Sequence, residues 1–449
     1  MNWPRLREKI LEDVYPDEEE IDEAKKLYRE ISAFIEGEFG LETHFAGSTG
    51  RGTCMAGDKD IDIFVLFPKD TDRQELEEKG LTVGKKVFKS FGGEFEVDYA
   101  EHPYTKGVVE SHEVEIVPCF DVEPENIRSA VDRSPHHSRW VRDNIDYELK
   151  KDAVILKKFL KSADLYGSSL KLEGFSGYLC ENLIIEYGGF QELIDSAQKW
   201  EKEKVIDPEK QYEDGLPKNL SNKFSEDSLI LIDPVDSERN VASVLSEENY
   251  AKFVHLCWKF KEDPGLDFFE SSEYEFTEFE LKKEVRGRGD FICVEFERPK
   301  EVDDLVYPQM RKLMRLLTQK LEKKDFRIYE QGFHSWNNKI RLFFELDEDL
   351  PYIEELKGPK VFHNAKHLRQ FSENYDNTFV QGERLVAKTE REYTSAREFL
   401  KDFFDQDVQV LKESGVPNQL ADCMTELSFE DPLDGEEEWL NYLAEKLRV

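Results

Sequence analysis

Hydrophobic and polar positions in the first third of the chain alternate between helical and strand spacing. Apolar residues recur every three or four positions over 17–39, where Asp17 can cap a helix and Gly40 can end it. Runs rich in β-branched and aromatic residues predict strands, with a second helical period among them. The predicted strands are 44–46, 60–67, 94–99, 107–110 and 113–117, and the second helix is 73–91. This mixture predicts an α/β domain with a mixed sheet over residues 1–150.

The spacing becomes helical over about residues 151–262, and strands return from residue 263 to the end. Helices are predicted at 153–165, 176–187 and 247–260, separated by a polar loop or hairpin at 199–228. The last part has β-α-β-β order, with a strand at 289–297, a helix at 307–321, strands at 326–333 and 339–346, and a mostly helical tail at 390–449. The predicted fold class is therefore α+β (mixed α/β), with a helical central domain and an α/β C-terminal domain.

The composition adds a strong acidic balance. The 449 residues include 98 Asp and Glu against 62 Lys and Arg, a formal charge of −36. No apolar run approaches the ~20 residues that a bilayer span needs, and residues 1–14 lack the apolar core of a signal peptide, so we expect a soluble cytoplasmic protein with no membrane partner. Six cysteines without a C-x-x-C pair argue against a zinc or redox motif.

Two carboxylates at the start of the predicted strand 60–67 carry the strongest chemical signal. Because alternate side chains of a strand point to one face, Asp60 and Asp62 project together, while Ile61 points to the other face. Like charges at this spacing repel unless a cation lies between them, and paired carboxylates suit Mg²⁺. Taken alone, an Asp-x-Asp pair is common and more often marks two solvated side chains.

The surroundings of this pair favour a phosphate-binding site. Gly47-Ser48 lies upstream, after a strand and before a short predicted helix, where the Ser48 hydroxyl and backbone N–H groups can hold a triphosphate. Arg51 is placed to add positive charge to the phosphates. Glu113 and Glu115 are both candidates for a third carboxylate on a neighbouring strand, and Glu115 should lie deeper because an apolar run follows it.

These residues resemble the nucleotidyltransferase pattern of the polymerase-β superfamily, and further motifs resemble archaeal class I CCA-adding enzymes. The resemblance is strong over about residues 1–265 and weaker but consistent beyond them. The motifs, in the family's order, are Tyr99-Ala100-Glu101-His102-Pro103-Tyr104, Ser129-Ala130-Val131-Asp132-Arg133-Ser134-Pro135, Gly174-Phe175-Ser176-Gly177-Tyr178-Leu179-Cys180-Glu181, Asp233-Pro234-Val235-Asp236, Arg239-Asn240-Val241-Ala242 and Phe253-Val254-His255-Leu256-Cys257.

The resemblance implies a template-independent tRNA nucleotidyltransferase that adds C, C and A in turn to the tRNA 3′ end from CTP and ATP. It implies Mg²⁺ as the cofactor, the tRNA acceptor arm as the partner, and a homodimer. It assigns residues 1–150 to a catalytic head, 151–262 to a neck that selects the base, and 263–449 to a tRNA-binding body and tail. The residues that it implies are Asp60, Asp62 and Glu115 for catalysis and Mg²⁺, and Ser48, Arg51, His137, Lys157, Tyr166 and Arg239 for the nucleotide.

Two departures from the family pattern concern this set. Glu115 stands where the family usually has Asp, and its longer side chain should still reach a metal ion. His136 precedes His137 as a local variant, which leaves open the histidine that faces the nucleotide, although the alignment favours His137.

Two other functions fit part of the pattern. A related poly(A) polymerase or oligoadenylate synthetase would use ATP alone. An inactive relative that only binds RNA would tend to lose the metal-binding carboxylates, whereas this chain has three candidates.

The charge of −36 predicts that activity persists in molar KCl, because a densely charged acidic surface suits a salt-rich cytoplasm. RNA binding then requires local basic surfaces, such as the segment 308–327 with seven basic residues against two acidic ones. Nucleotide incorporation into tRNA, measured in dilute buffer and in molar KCl, checks the prediction. Aggregation or inactivity at high KCl, together with full activity in dilute buffer, would contradict it.

Overall fold

The structure, a computed structural model, describes residues 2–99, 101–270, 276–362 and 365–448 and divides into two units, Met1–Ser272 and Glu273–Val449. Ala100, which belongs to one of the quoted motifs, lies outside the described residues. The division of the chain into head, neck and body stays a prediction.

The first unit combines a sheet with helices. Its helices are α1 (Trp3–Val14), α2 (Glu18–Phe39), α3 (Gly47–Arg51), α4 (Arg73–Phe91), α5 (Arg133–Asn144), α6 (Tyr147–Lys161), α7 (Gly177–Tyr187), α8 (Phe190–Ala197), α9 (Lys218–Lys223) and α10 (Glu247–Glu262), with short 3₁₀ helices at Pro124–Asn126 and Leu266–Phe269. Its strands are β1 (Glu42–Phe45), β2 (Asp60–Pro68), β3 (Glu94–Tyr99), β4 (Pro103–Val109), β5 (His112–Asp121), β6 (Lys204–Ile206) and β7 (Leu229–Leu231).

The main sheet has the strand order β1-β2-β5-β4-β3. The central pair β2 and β5 runs parallel, and the other neighbours run antiparallel. Helices α2 and α4 share one apolar core with this sheet, to which they contribute Ile31, Ile35, Val83 and Val87. The mixed sheet predicted for this region is confirmed, although the first strand is Glu42–Phe45 rather than 44–46 and the fourth is Pro103–Val109 rather than 107–110.

Helix α2 begins and ends as its sequence predicts. The Asp17 carboxylate accepts a hydrogen bond from the backbone N–H of Glu20 at 2.8 Å and so satisfies one of the donors left at the helix start. Gly40 ends the helix with φ +65°, the left-handed conformation that glycine adopts without strain. Both ends of the helix are therefore determined by local interactions.

A second core joins the helices around α6. Leu156 and Phe159 of α6 are fully buried in it, with side chains from α7, α8 and α10. Helix α1 also packs here through Leu6 and Ile10, and the Arg7 guanidinium Nε lies 2.7 Å from Asp152 Oδ1 on α6. The polar stretch 199–228 contains β6 and α9 and is not a plain loop, and β6 pairs in parallel with β7.

The second unit is an α/β domain followed by a helical tail. Its elements are α11 (Glu278–Gly287), β8 (Asp290–Glu297), α12 (Asp303–Lys323), β9 (Ile328–Trp336), β10 (Lys339–Leu346), β11 (Ile353–Lys360), α13 (Ala365–Asn374), β12 (Thr378–Gln381), β13 (Arg384–Glu390), α14 (Ala396–Phe404), α15 (Val408–Glu413), α16 (Asn418–Cys423), β14 (Ser428–Glu430) and α17 (Glu437–Leu447). Two sheets form, with orders β14-β8-β10-β9 and β11-β13-β12. The predicted β-α-β-β order is confirmed, and β14 adds a strand to the tail that was expected to be helical.

Helix α12 separates apolar from basic residues along its length. Met310, Leu313 and Leu317 are fully buried against strand residues such as Ile292 and Phe344. The opposite face carries exposed basic side chains, among them Lys312, Arg315 and Lys323. Within the described residues, no helix is both long and apolar enough to cross a bilayer.

Glycine packing in the first unit yields a stability test. A Cβ at Gly84 of α4 would lie 1.9 Å from the Thr105 hydroxyl of β4, whereas a Cβ at Gly37 of α2 would meet nothing within 4 Å. We expect Gly84→Ala to destabilise the protein by about 1–3 kcal/mol through overpacking, and Gly37→Ala to stabilise it by up to about 1 kcal/mol through helix propensity. Thermal unfolding followed by circular dichroism measures both changes. A Gly84→Ala midpoint equal to that of the Gly37→Ala control would contradict the packing described here.

Candidate active site

The parallel pairing of β2 with β5 brings the predicted carboxylates together. Asp62 lies opposite Glu115 in the register, and Asp60 lies opposite Glu113. The alternation predicted for β2 is confirmed, since Ile61 is buried in the sheet core while Asp60 is exposed and Asp62 partly buried on the other face. Glu115 is more buried than Glu113, as its position before an apolar run predicts.

Gly47 holds α3 against this carboxylate pair. Its φ is +63°, and a Cβ on it would lie 1.7 Å from Asp62 Oδ2, so only glycine leaves room for the carboxylate. The backbone N–H of Ala46 donates to the Asp62 carbonyl at 2.9 Å and connects the start of α3 to β2. Ser48 follows in the first turn of α3 and is half-buried. The Gly-Ser turn and the Asp-x-Asp pair therefore form one local structure.

Burial and neighbouring negative charges raise the pKa of all three carboxylates. Burial raises the pKa of Asp62, the Asp60 charge adds to this effect, and Arg51 opposes it. Burial, with the charge of Asp62, raises the pKa of Glu115 to about 7. The pKa of Asp60 is raised by burial and by the neighbouring charges of Asp58 and Glu113. A group of acids that oppose one another's ionisation is stabilised when a cation binds among them.

This donor set fits a hard divalent cation. Asp60, Asp62 and Glu115 offer carboxylate oxygens, the ligand type that Mg²⁺ takes in proteins. Among the residues that the structure describes, no three His, Cys, Asp or Glu side chains converge closely enough to hold an ion by themselves. In proteins, Mg²⁺ usually binds one or two carboxylates and completes its coordination with substrate phosphates and water.

Arg51, at the end of α3, reaches a buried cluster of charges. Its Nε lies 2.8 Å from Glu181 Oε2, and its Nη1 lies 3.4 Å from the Ser138 hydroxyl. Lys157 of α6 donates from Nζ to the carbonyl of Thr53 at 2.8 Å and to Glu181 Oε1 at 3.3 Å. The Thr53 hydroxyl also donates to Glu181 Oε1. Two side chains predicted to contact the nucleotide, Arg51 and Lys157, are thus connected through one carboxylate.

A second cluster joins His137 to Arg239. Asp233, whose side chain is 0% exposed, accepts at Oδ2 from His137 Nε2 and from Arg239 Nη1, both at 2.8 Å. Its Oδ1 accepts from the Tyr178 hydroxyl at 3.3 Å and from the Val235 N–H at 3.0 Å. The His137 ring stacks on Tyr178 with centroids 4.1 Å apart. The predicted nucleotide-binding residues of α5 and of the loop after β7 therefore meet at one buried carboxylate.

Burial and neighbouring charges shift the pKa values of His137 and Asp233 in this second cluster. Burial lowers the pKa of His137, and the charges of Arg239 and Arg133 lower it further against the opposing effect of Asp233. Burial alone would raise the pKa of Asp233, but the hydrogen bond from His137 and the Arg239 charge lower it to about 2. Near neutral pH the imidazole is therefore neutral and donates Nε2–H to an ionised Asp233.

The remaining predicted residues lie nearby. Tyr166 is partly buried, burial raises the pKa of its hydroxyl, and a Cβ on Gly177 would lie 3.2 Å from that oxygen and 3.6 Å from Lys157 Nζ. His136 is buried with its Nε2 2.8 Å from the carbonyl of Val122, so it points into the protein. The roles of all these residues in nucleotide binding stay predictions.

Sequence reasoning missed two residues that hold the clusters together. Glu181 and Asp233 both stand within the quoted motifs but received no role. Glu181 follows the apolar residues Leu179 and Cys180 in the first half of α7, and Asp233 follows the apolar run 229–232. A charged residue in an apolar run of this kind is stable only when it is paired, which is the signal that points to both.

Three family models match the chain in succession. They are described as nucleotidyltransferase domain, over residues 14–137, tRNA nucleotidyltransferase, second domain, over 151–270, and CCA-adding enzyme, C-terminal domain, over 286–414. In chain order, they cover the sheet that carries Asp60 and Asp62, the helices around α6, and residues of the second unit.

Curated relatives cover almost the whole chain. A CCA-adding enzyme of Archaeoglobus fulgidus is 37% identical over 409 residues, which cover 90% of this chain and 90% of the relative. One of Methanocaldococcus jannaschii is 38% identical over 394 residues, covering 87% and 85%. One of Methanococcus maripaludis is 36% identical over 435 residues, covering 95% and 94%.

The short distance between a Cβ at Gly47 and Asp62 predicts that Gly47→Ala weakens metal binding, because the new Cβ displaces Asp62, which is predicted to be a metal ligand. We expect at least a tenfold loss of Mn²⁺ affinity, on the order of the effect of changing a ligand's surroundings. Mn²⁺ titration followed by electron paramagnetic resonance, with CTP present, measures it. Gly40→Ala is the matched control, because Gly40 shares the positive φ (+65°) but has no atom within 4 Å of the added Cβ. Equal affinities in the two variants would contradict the prediction.

Proposed function

Because this chain belongs to the family of CCA-adding enzymes, we propose that it adds C, C and A in turn to the 3′ end of tRNA, taking CTP and ATP as substrates and releasing pyrophosphate. Membership also confirms the nucleotidyltransferase fold and enzyme class predicted from the sequence. The observation that carries the proposal is the in-register pairing of Asp62 with Glu115 beside Gly47.

Enzymes of the nucleotidyltransferase family generally use divalent metal ions, and we propose Mg²⁺ held by Asp60, Asp62 and Glu115. The ion would supply positive charge that makes the tRNA 3′-hydroxyl more acidic and offsets the charge of the departing pyrophosphate. The protein's own contribution is then to hold the hydroxyl and the α-phosphate in line and to exclude competing orientations.

The first charged cluster supports a triphosphate site. Ser48 and Arg51 lie on α3 directly after Gly47, which touches Asp62, so phosphate oxygens bound there lie beside the carboxylates. Lys157 and Tyr166 flank the same cluster from the helical side. Fixed donors aimed at phosphate oxygens stabilise charge without having to reorganise during the reaction.

The second cluster supports selection of the base. Asp233 fixes His137 and Arg239 at 2.8 Å each, and the Arg239 side chain remains 33% exposed, so part of its guanidinium is available to a base edge. A guanidinium held by a carboxylate offers its remaining N–H groups in a defined direction. This geometry suits discrimination by hydrogen bonds, which C and A present differently.

The second unit supplies a surface for tRNA. The exposed face of α12 carries Lys312, Arg315 and Lys323 in a chain whose net charge is −36. A-form RNA is bound mainly through its backbone and shape, so a short row of cations suffices for contact. The homodimer, the cytoplasmic location and the individual tRNA contacts remain part of the proposal.

Ordered nucleotide addition tests the function. We expect two C and one A to be added to tRNA transcripts that end before the CCA sequence, and the Asp60→Ala/Asp62→Ala variant to lose this addition because it loses its metal ligands. Incorporation of labelled CTP and ATP, supplied separately and together with Mg²⁺, measures it. Glu94→Ala is the control, since Glu94 is an exposed carboxylate on β3, at the edge of the same sheet, and it should retain activity.

Other products would identify the alternatives. Unlimited addition of A would place the chain with poly(A) polymerases or oligoadenylate synthetases, and no addition at any salt concentration would leave an RNA-binding relative. The retention of Asp60, Asp62 and Glu115 in one register favours the active enzyme.

A further inference from the structure

Glu181 of α7 is a fully buried carboxylate that touches two cations at once. Its side chain is 0% exposed, its Oε2 lies 2.8 Å from Arg51 Nε, and its Oε1 lies 3.3 Å from Lys157 Nζ. The Thr53 hydroxyl adds a hydrogen bond to Oε1. The carboxylate thus connects α3, which begins with Gly47 and Ser48, to α6, which carries Lys157.

The Arg51 guanidinium lies between two sets of negative charge. Arg51 and Lys157 each contribute one positive charge and Glu181 one negative charge, in a site almost closed to water, with side-chain exposures of 11%, 1% and 0%. Burial would raise the pKa of Glu181, but Arg51 and Lys157 lower it and keep the carboxylate ionised. The Arg51 charge also lowers the pKa of Asp62, so Asp62 offers a further negative charge to the guanidinium. A divalent cation bound by Asp62 would take up that charge and would leave the guanidinium to an anion such as a phosphate.

The two cations would also repel each other without the carboxylate. One oxygen of Glu181 lies near each cation, so the carboxylate limits the distance between two side chains that come from different helices. Lys157 is held from further sides by the Thr53 carbonyl and hydroxyl, at 2.8 and 3.2 Å. Arg51 has no comparable support beyond the longer contact of 3.4 Å to Ser138 among the hydrogen bonds of the described residues.

We propose that Glu181 is a positioning residue that aims the Arg51 guanidinium at the triphosphate of the incoming nucleotide. This inference rests on the proposed function, because it takes CTP and ATP as the anions. Glu181 itself does not touch the nucleotide; it acts through Arg51, and its removal should therefore matter only while Arg51 is present.

A double-mutant cycle tests this dependence. CTP binding in the presence of Mg²⁺ is measured by isothermal titration calorimetry for the wild type, Glu181→Gln, Arg51→Ala and the double variant. We expect Glu181→Gln to weaken CTP binding about tenfold, in the range of coupling between contacting charged residues, and to change it by less than about twofold in the Arg51→Ala background. Glu186→Gln, an exposed position on the same helix, is the matched control and should bind CTP as the wild type does.

The outcomes separate this inference from the proposed function. If the wild type does not bind CTP, the proposed function fails. If the wild type binds CTP and Glu181→Gln weakens binding equally in both backgrounds, or not at all, Glu181 has a structural role only and the inference is overturned. If Glu181→Gln fails to fold, a second pair of variants replaces it. CTP binding is then compared between Lys157→Met and the double variant Glu181→Gln/Lys157→Met, which loses one positive and one negative charge together and also loses the pair with Arg51. Equal CTP affinities of those two variants would then overturn the inference.

Discussion

The register between β2 and β5 is the constraint on which the active site depends. It places the charges of Asp62 and Glu115 side by side, an arrangement that electrostatics opposes. The opposite face of the same strands supplies the compensation, because Ile61, Ile63 and Ile116 are fully buried there. Each such side chain stabilises the fold by about 1.5–3 kcal/mol, and a slip by one residue would expose all of them. Burial of apolar side chains on one face thus offsets the free-energy cost of holding like charges together on the other.

The site divides its charges between the sheet and the helices. The strands contribute carboxylates, which suit a metal ion, while the cluster of Arg51, Lys157 and Glu181 contributes a guanidinium, which suits phosphate. Arg51 connects the two groups, because its charge also lowers the pKa of Asp62 against burial. In the proposed function this separation lets a metal ion and a triphosphate bind next to each other in a chain whose overall charge of −36 would otherwise repel the anion.

Local patterns predicted the elements and the reactive side chains, and long-range pairing accounts for what they missed. Helix α2 and the alternation of Asp60 and Asp62 follow from caps and period two alone. No helix was predicted over residues 3–14, although Leu6, Ile10 and Val14 recur at helical spacing, and only the structure shows that they pack on α6. Glu181 and Asp233 were missed because their importance lies in partners such as Arg51 and His137 on other elements. The fold class could be predicted from the sequence, and the connections within the site required coordinates.

Helix α5 connects the two charged clusters of the site. Ser138 contacts the Arg51 guanidinium of the first cluster, and the residue before it, His137, donates to Asp233 in the second cluster. Consecutive residues on a helix point in different directions, so a single turn of α5 reaches both groups and sets the distance between them. An enzyme that selects C and then A without a nucleic-acid template has to read the base while the triphosphate stays in place. In the proposed function, the helix between the two clusters meets that requirement, because the position of the phosphates would then define where each base edge must lie to meet Arg239.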